Sequence, residues 1–290
     1  MARFVANLPP WVVLDPLLLQ WLREDLGRGD RTTQSLFTQT QAPIGTAKLI
    51  LKADGVVAGL PLVSRVFALL DPTVRVEMVL QEGDCGSYGD VIATIEGALD
   101  SLLMGERVAL NMLMPLSGIA SMTAQYVEQI ADLPTQLVDT RKTTPGFRLL
   151  EKYAVQVGGG QNHRFGLDDA VMIKDNHIQA AGGISLAIAA VRCHMPYPLA
   201  IEVEAETADQ ALEAVRAGAE IVMLDNMPPA QMASLIPQLR AENPRIRLEA
   251  SGNITLDTLR TVAETGIDYI STSATITRSP WLDISMKITA

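Results

Sequence analysis

Histidine, cysteine and aromatic residues are scarce in this chain. Of its 290 residues three are His, two are Cys and 4% are aromatic. The two cysteines, Cys85 and Cys193, stand in no CxxC or metal-ligand spacing. That excludes a disulfide framework and a thiolate metal site, and makes a reducing compartment the default. No apolar run approaches the roughly 18 residues of a membrane span. The N-terminus, MARFVANLPPWVVLD, has one Arg and a short apolar run broken by Pro9-Pro10, so it reads as neither a signal nor a transit peptide. A soluble, cytoplasmic protein is expected. Cations are few as well: 23 Lys and Arg against 33 Asp and Glu leave a net charge of −10. Such a chain offers no basic track for a nucleic acid.

What cations there are gather in one stretch, Asp139 to His177. It holds six of the 23 Lys and Arg (Arg141, Lys142, Arg148, Lys152, Arg164, Lys174) and two of the three histidines, His163 and His177. Several adjoin Gly, Thr or Pro, the setting of loops that carry function. A cationic focus in an acidic protein suggests a pocket for a small polyanion.

The length allows one large domain or two moderate ones. Asp15-Pro16 predicts a helix start, since Asp caps well and Pro tolerates the first helical position. Residues 46–52, 73–80 and 91–97 read as strands and 61–70 as a helix, an α+β arrangement. A helical pattern runs from Leu99 to about Ala131 with a break expected near Pro115 to Gly118. Within it Arg107 stands among apolar residues, as a surface or snorkelling side chain or as a functional one. From Pro134 strands and helices alternate. The strands are 135–139, 169–173, 199–204, 220–225, 245–250 and 268–272, and helices lie between them. That rhythm implies a parallel sheet, either an incomplete (β/α) barrel of TIM type or an open doubly wound sheet. The expected organisation is an N-terminal α+β domain (1–117), a parallel α/β domain of one of these two kinds (118–278) and a C-terminal strand (279–290) returning to the first domain.

In a parallel barrel the strand ends share one rim, where such enzymes build their sites. Here the rim reads Thr140-Arg141-Lys142, Lys174, Glu204, Asp225, Ser251-Gly252-Asn253 and Ser271-Thr272-Ser273. Ser251-Gly252-Asn253 is read as opening a helix whose N-terminus favours an anion. Glu204 and Asp225 suit Mg²⁺ held together with substrate phosphates. Glu202 is placed on the opposite barrel face, as a pairing residue. Gly158-Gly159-Gly160 follows a helix, so it reads as a C-cap rather than a phosphate loop. Three functions fit this rim: transfer from a pyrophosphorylated sugar to a polyanionic acceptor, a Schiff-base aldolase using Lys174, or a non-catalytic sensor of a phosphorylated metabolite.

The motifs narrow this. GERVALN (105–111), DTRKTTPGFR (139–148), GGGQNHRFGL (158–167), MIKDNH (172–177), MLDN (223–226) and EASGN (249–253), with shorter matches from REDLGRGDRTT (23–33) to LDIS (282–285), run nearly the full length. In these the chain resembles the quinolinate phosphoribosyltransferase family. The resemblance implies transfer of phosphoribosyl from phosphoribosyl pyrophosphate to quinolinate with decarboxylation, in NAD synthesis. It also implies an N-terminal α/β sandwich domain, an incomplete C-terminal (β/α) barrel of TIM type and a homodimer or larger assembly. Carried over motif by motif, Arg141, Lys142, His163, Arg164 and Lys174 would hold the quinolinate carboxylates, and Arg107 would enter from a neighbouring subunit. Glu204 and Asp225 would serve the ribose and Mg²⁺. Ser251-Gly252-Asn253 with Thr272-Ser273 would hold the phosphate. The chain departs from the family near its end: a usual Thr-His-Ser is here Ile276-Thr277-Arg278, with Ser273 and Asn253 where Gly is common. Arg278 is a candidate replacement for the missing histidine.

Overall fold

The computed structural model describes residues 6–37 and 42–289; the first five residues of the stretch read above for a leader lie outside them. In chain order the elements are α1 (Trp11–Leu26), α2 (Arg31–Leu36), β1 (Ile44–Leu51), β2 (Gly55–Val56), α3 (Leu60–Leu70), β3 (Arg75–Met78), β4 (Cys85–Gly86), β5 (Val91–Ala98) and α4 (Leu99–Gln129). There follow β6 (Gln136–Val138), α5 (Arg148–Val157), β7 (Val171–Ile173), α6 (Asp175–Ala181), α7 (Ile184–His194), β8 (Ile201–Ala205) and α8 (Ala208–Arg216). The chain ends with β9 (Ile221–Asp225), α9 (Pro229–Glu242), β10 (Arg247–Ser251), α10 (Leu256–Ala263), β11 (Tyr269–Ser271), α11 (Ala274–Thr277) and β12 (Ile284–Thr289). They form two interleaved compact units. One runs through Ala124 and regains Leu149–Gly159 and the segment from Ser279; the other holds Gln125–Arg148 and Gly160–Arg278. The sequence suggested cuts after 117 and 278; the second coincides with the boundary after Arg278, whereas the first unit runs on to Ala124.

The first unit is built on an antiparallel sheet in the order β12-β1-β5-β3. The C-terminal strand returns as expected: β12 pairs along β1, Thr46 facing Thr289 and Leu51 facing Ile284. Helix α1 starts at Trp11, not at Asp15, and Pro16 lies inside it. Leu14, Leu18 and Leu22 recur at i+4 and are buried, so packing of that stripe outweighs the one backbone bond Pro16 cannot make. Asp15 is no cap; its carboxylate takes both guanidinium arms of Arg65. Helix α4 likewise runs unbroken past Pro115. Leu113, Leu116, Ser117 and Ala120 are fully buried, and the Ser117 hydroxyl accepts the Ala58 N–H at 3.0 Å. Where a helix is held on such a face, a proline does not end it. Gly118 lets the chain pass close: a Cβ there would stand 2.0 Å from the Pro280 carbonyl oxygen. Segment 149–159 belongs to this unit because Leu150, Tyr153, Ala154 and Val155 are buried. The Tyr153 hydroxyl also donates to Glu82, which caps the start of α3.

The second unit carries a six-stranded sheet, β6-β11-β10-β9-β8-β7, in which every pairing is parallel. Its first strand, β6, closes against its last, β11, leaving β6 and β7 as the edges of an incomplete (β/α) barrel. Strand periodicity explains its polarity. Ile201, Val203, Val222, Leu224, Leu248, Ala250 and Ile270 are fully buried on one face, where helices such as α8 pack. The alternate positions, Glu202 and Glu204, Met223 and Asp225, Glu249 and Ser251, share the other face. The apolar face is therefore the outer one, and the interior is lined with charge. No helix among the described residues is long and apolar enough to cross a membrane.

Candidate functional site

At the C-terminal ends of these strands lies a pocket of about 530 Å³. Of the predicted site residues it brings together Thr140, Arg141, Lys142, His163, Arg164, Lys174, Glu204, Asp225, Ser251, Gly252, Asn253, Ser271, Thr272 and Ser273. Arg278 lines it too. Arg107 is exposed on α4 in the first unit and is not among the lining residues. A second groove of about 810 Å³ runs between α7 and α8. Its two arginines are each paired, Arg192 with Glu220 and Arg216 with Glu242, and none of the predicted site residues lines it.

The cationic side of the pocket is built by loops that bind themselves. The buried Asp139 carboxylate, at the end of β6, accepts the His163 N–H at 2.8 Å and the Asn162 amide at 2.7 Å. One acid thus ties the Thr140-Arg141-Lys142 loop to the Asn162-His163-Arg164 loop. Arg148 does the same from the side, donating to Thr143, to the Phe165 carbonyl and to the Arg141 carbonyl. Two cations of the stretch therefore serve elsewhere: Arg148 shapes the loop, and Lys152 is fully buried in the first unit. Arg164 is nearly buried and donates to the Ala170 carbonyl at 2.9 Å. Burial first, and then Arg141, hold its guanidinium below the usual arginine range. A pocket that strains its own cations favours an anionic ligand.

Lys174 caps α6, a helix absent from the predicted set. The Lys174 N–H donates to His177 Nδ1, and its ammonium lies 2.5 Å from Glu204. Beside Glu204, Asp225 has its carboxyl raised by burial first and by the Glu204 charge second. Those two carboxylates face a single cation between them, a donor set of hard oxygens that suits a divalent ion.

Beneath His163 the structure corrects one expectation. Glu202 does not face away from Glu204: residues two apart on a strand share a face, and both acids point inward. Glu202 stands 3.1 Å and Glu249 3.6 Å from His163 Nε2. One oxygen of each acid, Oε1, is buried with no hydrogen-bond partner among the described residues. The three side chains are close enough to suggest a metal, but the imidazole argues otherwise. His163 Nδ1 accepts the Arg164 N–H at 2.7 Å, so the ring proton sits on Nε2, the atom a metal would need. The cluster is an Nε2–H shared between two carboxylates. Burial, then the Glu202 charge, raise the Glu249 carboxyl to about 7. Asp139 and Glu249 were missed by the sequence reading. Asp139 follows the buried Leu137-Val138 pair and Glu249 lies between the buried Leu248 and Ala250, so each was visible as an acid among buried aliphatic neighbours.

On the opposite side the segment expected to cradle an anion is a loop. Ser251-Gly252-Asn253 does not open a helix: α10 begins at Leu256, behind a Thr255 cap. Gly252 and Asn253 have left-handed backbone, φ 102° and 50°. The Thr272 hydroxyl is spent on backbone, donating to the Ile254 carbonyl and accepting the Ala274 N–H.

The chain is similar over nearly its whole length to proteins of one family. The family description "Quinolinate phosphoribosyl transferase, N-terminal domain" matches residues 30–117, and the corresponding C-terminal domain matches 119–287. A probable carboxylating nicotinate-nucleotide pyrophosphorylase of Synechocystis sp. is 57% identical, with 97% of this chain and 94% of that protein covered. A probable enzyme of the same name from Bacillus subtilis is 44% identical over 95% of this chain and 93% of its own length. The NadC crystal structure from Streptococcus pyogenes superposes with a TM-score of 0.91 at 44% identity, covering 97% of this chain and 98% of that one. The chain belongs to the quinolinate phosphoribosyltransferase family.

Proposed function

We infer that this chain transfers the phosphoribosyl group of phosphoribosyl pyrophosphate to quinolinate. The products are nicotinate mononucleotide, CO₂ and pyrophosphate, in de novo NAD biosynthesis. It is a pentosyltransferase; family membership sets aside the aldolase and sensor readings. The observation that carries the reading is the polarity across one pocket, with cations on the β6 and β7 side, paired acids in the middle and a Ser-Gly-Asn loop beyond.

Arg141, Lys142, Arg164 and Lys174 would hold the two quinolinate carboxylates, with His163 fixed behind them by Glu202 and Glu249. The pyridine nitrogen then attacks the anomeric carbon as the bond to pyrophosphate breaks. The positive charge that develops on the sugar is stabilised by the Glu204 and Asp225 carboxylates. Ser251-Gly252-Asn253, Ser273 and Arg278 would receive the phosphate groups. Alkylation leaves the ring nitrogen cationic, so the electron pair released when the adjacent carboxylate departs as CO₂ is stabilised beside it, and that carbon takes a proton. No protein nucleophile is needed, and positioning supplies much of the rate. Glu204 and Asp225 would hold Mg²⁺, which when bound neutralises the pyrophosphate leaving group. The enzyme would work in the cytoplasm as a homodimer or larger assembly, with Arg107 completing a neighbouring subunit's pocket; its exposure on α4 supports that role.

Purified protein incubated with quinolinate, phosphoribosyl pyrophosphate and Mg²⁺ should release CO₂ and pyrophosphate in equal amounts. Consumption of phosphoribosyl pyrophosphate without CO₂ release would refute the reading.

A further inference from the structure

Among the described residues two that are not glycine have left-handed backbone, Asn226 at φ 52° and Asn253 at φ 50°. Both line the same pocket, on neighbouring rim loops after β9 and β10. Such conformations are unfavourable for residues with a side chain and persist where the surroundings over-determine them. Here the surroundings are one small network centred on Asn226. Its Nδ2 donates to Asp225 Oδ2 at 2.9 Å. Its Oδ1 accepts from Asn253 Nδ2 at 3.4 Å. Its backbone N–H donates to the Ser251 carbonyl at 2.9 Å. The amide also fills the space beside Gly252: a Cβ there would stand 2.2 Å from Asn226 Oδ1 and 2.9 Å from Asn226 N. The glycine at 252 is thus required by the neighbouring asparagine as well as by its own φ of 102°.

Three consequences follow for a ligand. Asp225 is fixed through Oδ2, which leaves Oδ1 as the oxygen available to a sugar hydroxyl or a cation. The Ser-Gly-Asn loop is held at both ends by one residue, so its backbone N–H groups are presented without a search. The carboxylate and the loop are moreover linked through a single amide. A ligand that carries a hydroxylated ring and a phosphate at a fixed separation meets both at once, and such preorganisation lowers the entropy lost on binding. A ligand with no phosphorylated pentose gains nothing from it.

We propose that Asn226, with Asn253 as its partner, is a positioning residue that locks the Asp225 carboxylate and the Ser251-Gly252-Asn253 loop into one subsite for a phosphorylated pentose. The inference rests on assigning Asp225 and that loop to the phosphoribosyl half of the pocket.

The test uses variants that keep the left-handed backbone without strain. Asn226→Gly and Asn253→Gly retain positive φ at no steric expense and remove one amide each. For Asn226→Gly the KM for phosphoribosyl pyrophosphate should rise about tenfold, the effect of losing a hydrogen bond to a charged group. The KM for quinolinate should stay within about twofold, a split that general loosening of the fold would not produce. Asn253→Gly should give a smaller rise, and the double variant should be no worse than Asn226→Gly alone, because the two side chains act through one contact. Asp225→Asn is the control. If it leaves every phosphoribosyl pyrophosphate parameter unchanged, the assignment of this half of the pocket is wrong. If Asp225→Asn impairs that substrate while Asn226→Gly matches the parent, or weakens both substrates equally, the assignment stands and the positioning role is overturned.

Discussion

Replacing Glu249 by Gln tests the buried cluster beneath His163. The parent carboxyl is lifted from 4.5 to about 7, by burial first and by Glu202 second, with His163 pulling the other way. Because the folded value lies above the unfolded one, the folded protein binds this proton more tightly between those pH values. The stabilisation is therefore fully present below about pH 4.5 and is lost as pH rises through about 7. At 1.36 kcal/mol per tenfold preference, the loss amounts to about 3 kcal/mol at pH 8. Gln keeps the shape and the hydrogen-bonding capacity and never ionises, so it escapes that loss. At pH 4, below both values, the acid is largely protonated in the folded and the unfolded chain and the two proteins should melt together. At pH 8 the Gln variant should be the more stable, with the unfolding transition of the second unit raised by several degrees, at about 3 °C per kcal/mol for a domain of this size. Scanning calorimetry at the two pH values reads the difference directly. A Gln variant that melts below the parent at pH 8, or that differs from it equally at both pH values, would refute the placement of a proton-hungry acid in this cluster.

Other outcomes follow from the same geometry. Nicotinate offers one carboxylate to a pocket lined by Arg141, Lys142, Arg164 and Lys174. Its kcat/KM should fall roughly 10⁴-fold below that of quinolinate, while phthalate, with two carboxylates and no ring nitrogen, should compete without reacting; comparable nicotinate turnover would sink the two-carboxylate reading. Arg107→Ala and Lys142→Ala proteins should each be nearly inactive and recover part of the activity on co-expression, since a mixed dimer has one site free of both changes. Verified mixed dimers with no recovery would remove Arg107 from the partner's pocket. Gly118→Ala drives a Cβ to 2.0 Å from the Pro280 carbonyl oxygen and should destabilise the first unit by roughly 2–3 kcal/mol; a variant with unchanged urea midpoint would show that this approach is not tight.

The barrel was readable because short apolar strands and helices alternate so regularly from Pro134 onward. In EIVMLD and RIRLEA every second residue is aliphatic, and those positions became the outer, helix-covered face. The two helix errors share a cause. Pro16 and Pro115 are strong local signals, yet each lies in a helix whose buried stripe outweighs one missing backbone bond. The cation-rich loops were visible as composition, whereas the acids that arrange them were not. Asp139, Glu202 and Glu249 reach His163 from three strands far apart in sequence, and only the sheet order brings them together. Glu202 shares its face with Glu204 by the two-residue period of a strand, so its inward direction is already contained in the sequence. Asn226 carries no signal of its own beside Asp225; its importance lies in a backbone angle that one sequence does not reveal.

The pairing of β1 with β12 bears on how the protein is made. Leu51 faces Ile284 across that pairing, so on the order of 230 residues must be synthesised before the first strand meets its last neighbour. At about 5–20 residues per second that is a wait of tens of seconds. Strand β5 can cover one side of β1 early, while the other side is left as a bare edge, the kind of surface on which nascent chains aggregate. Lys48, midway along β1 and opposite Lys287 in the finished sheet, places a charge on that edge during the wait. A ribosome stalled in the second unit beyond Gly159 would hold out a nearly complete first unit with one sticky side, a substrate for chaperones. The sheet of the first unit is complete only once β12 has been made.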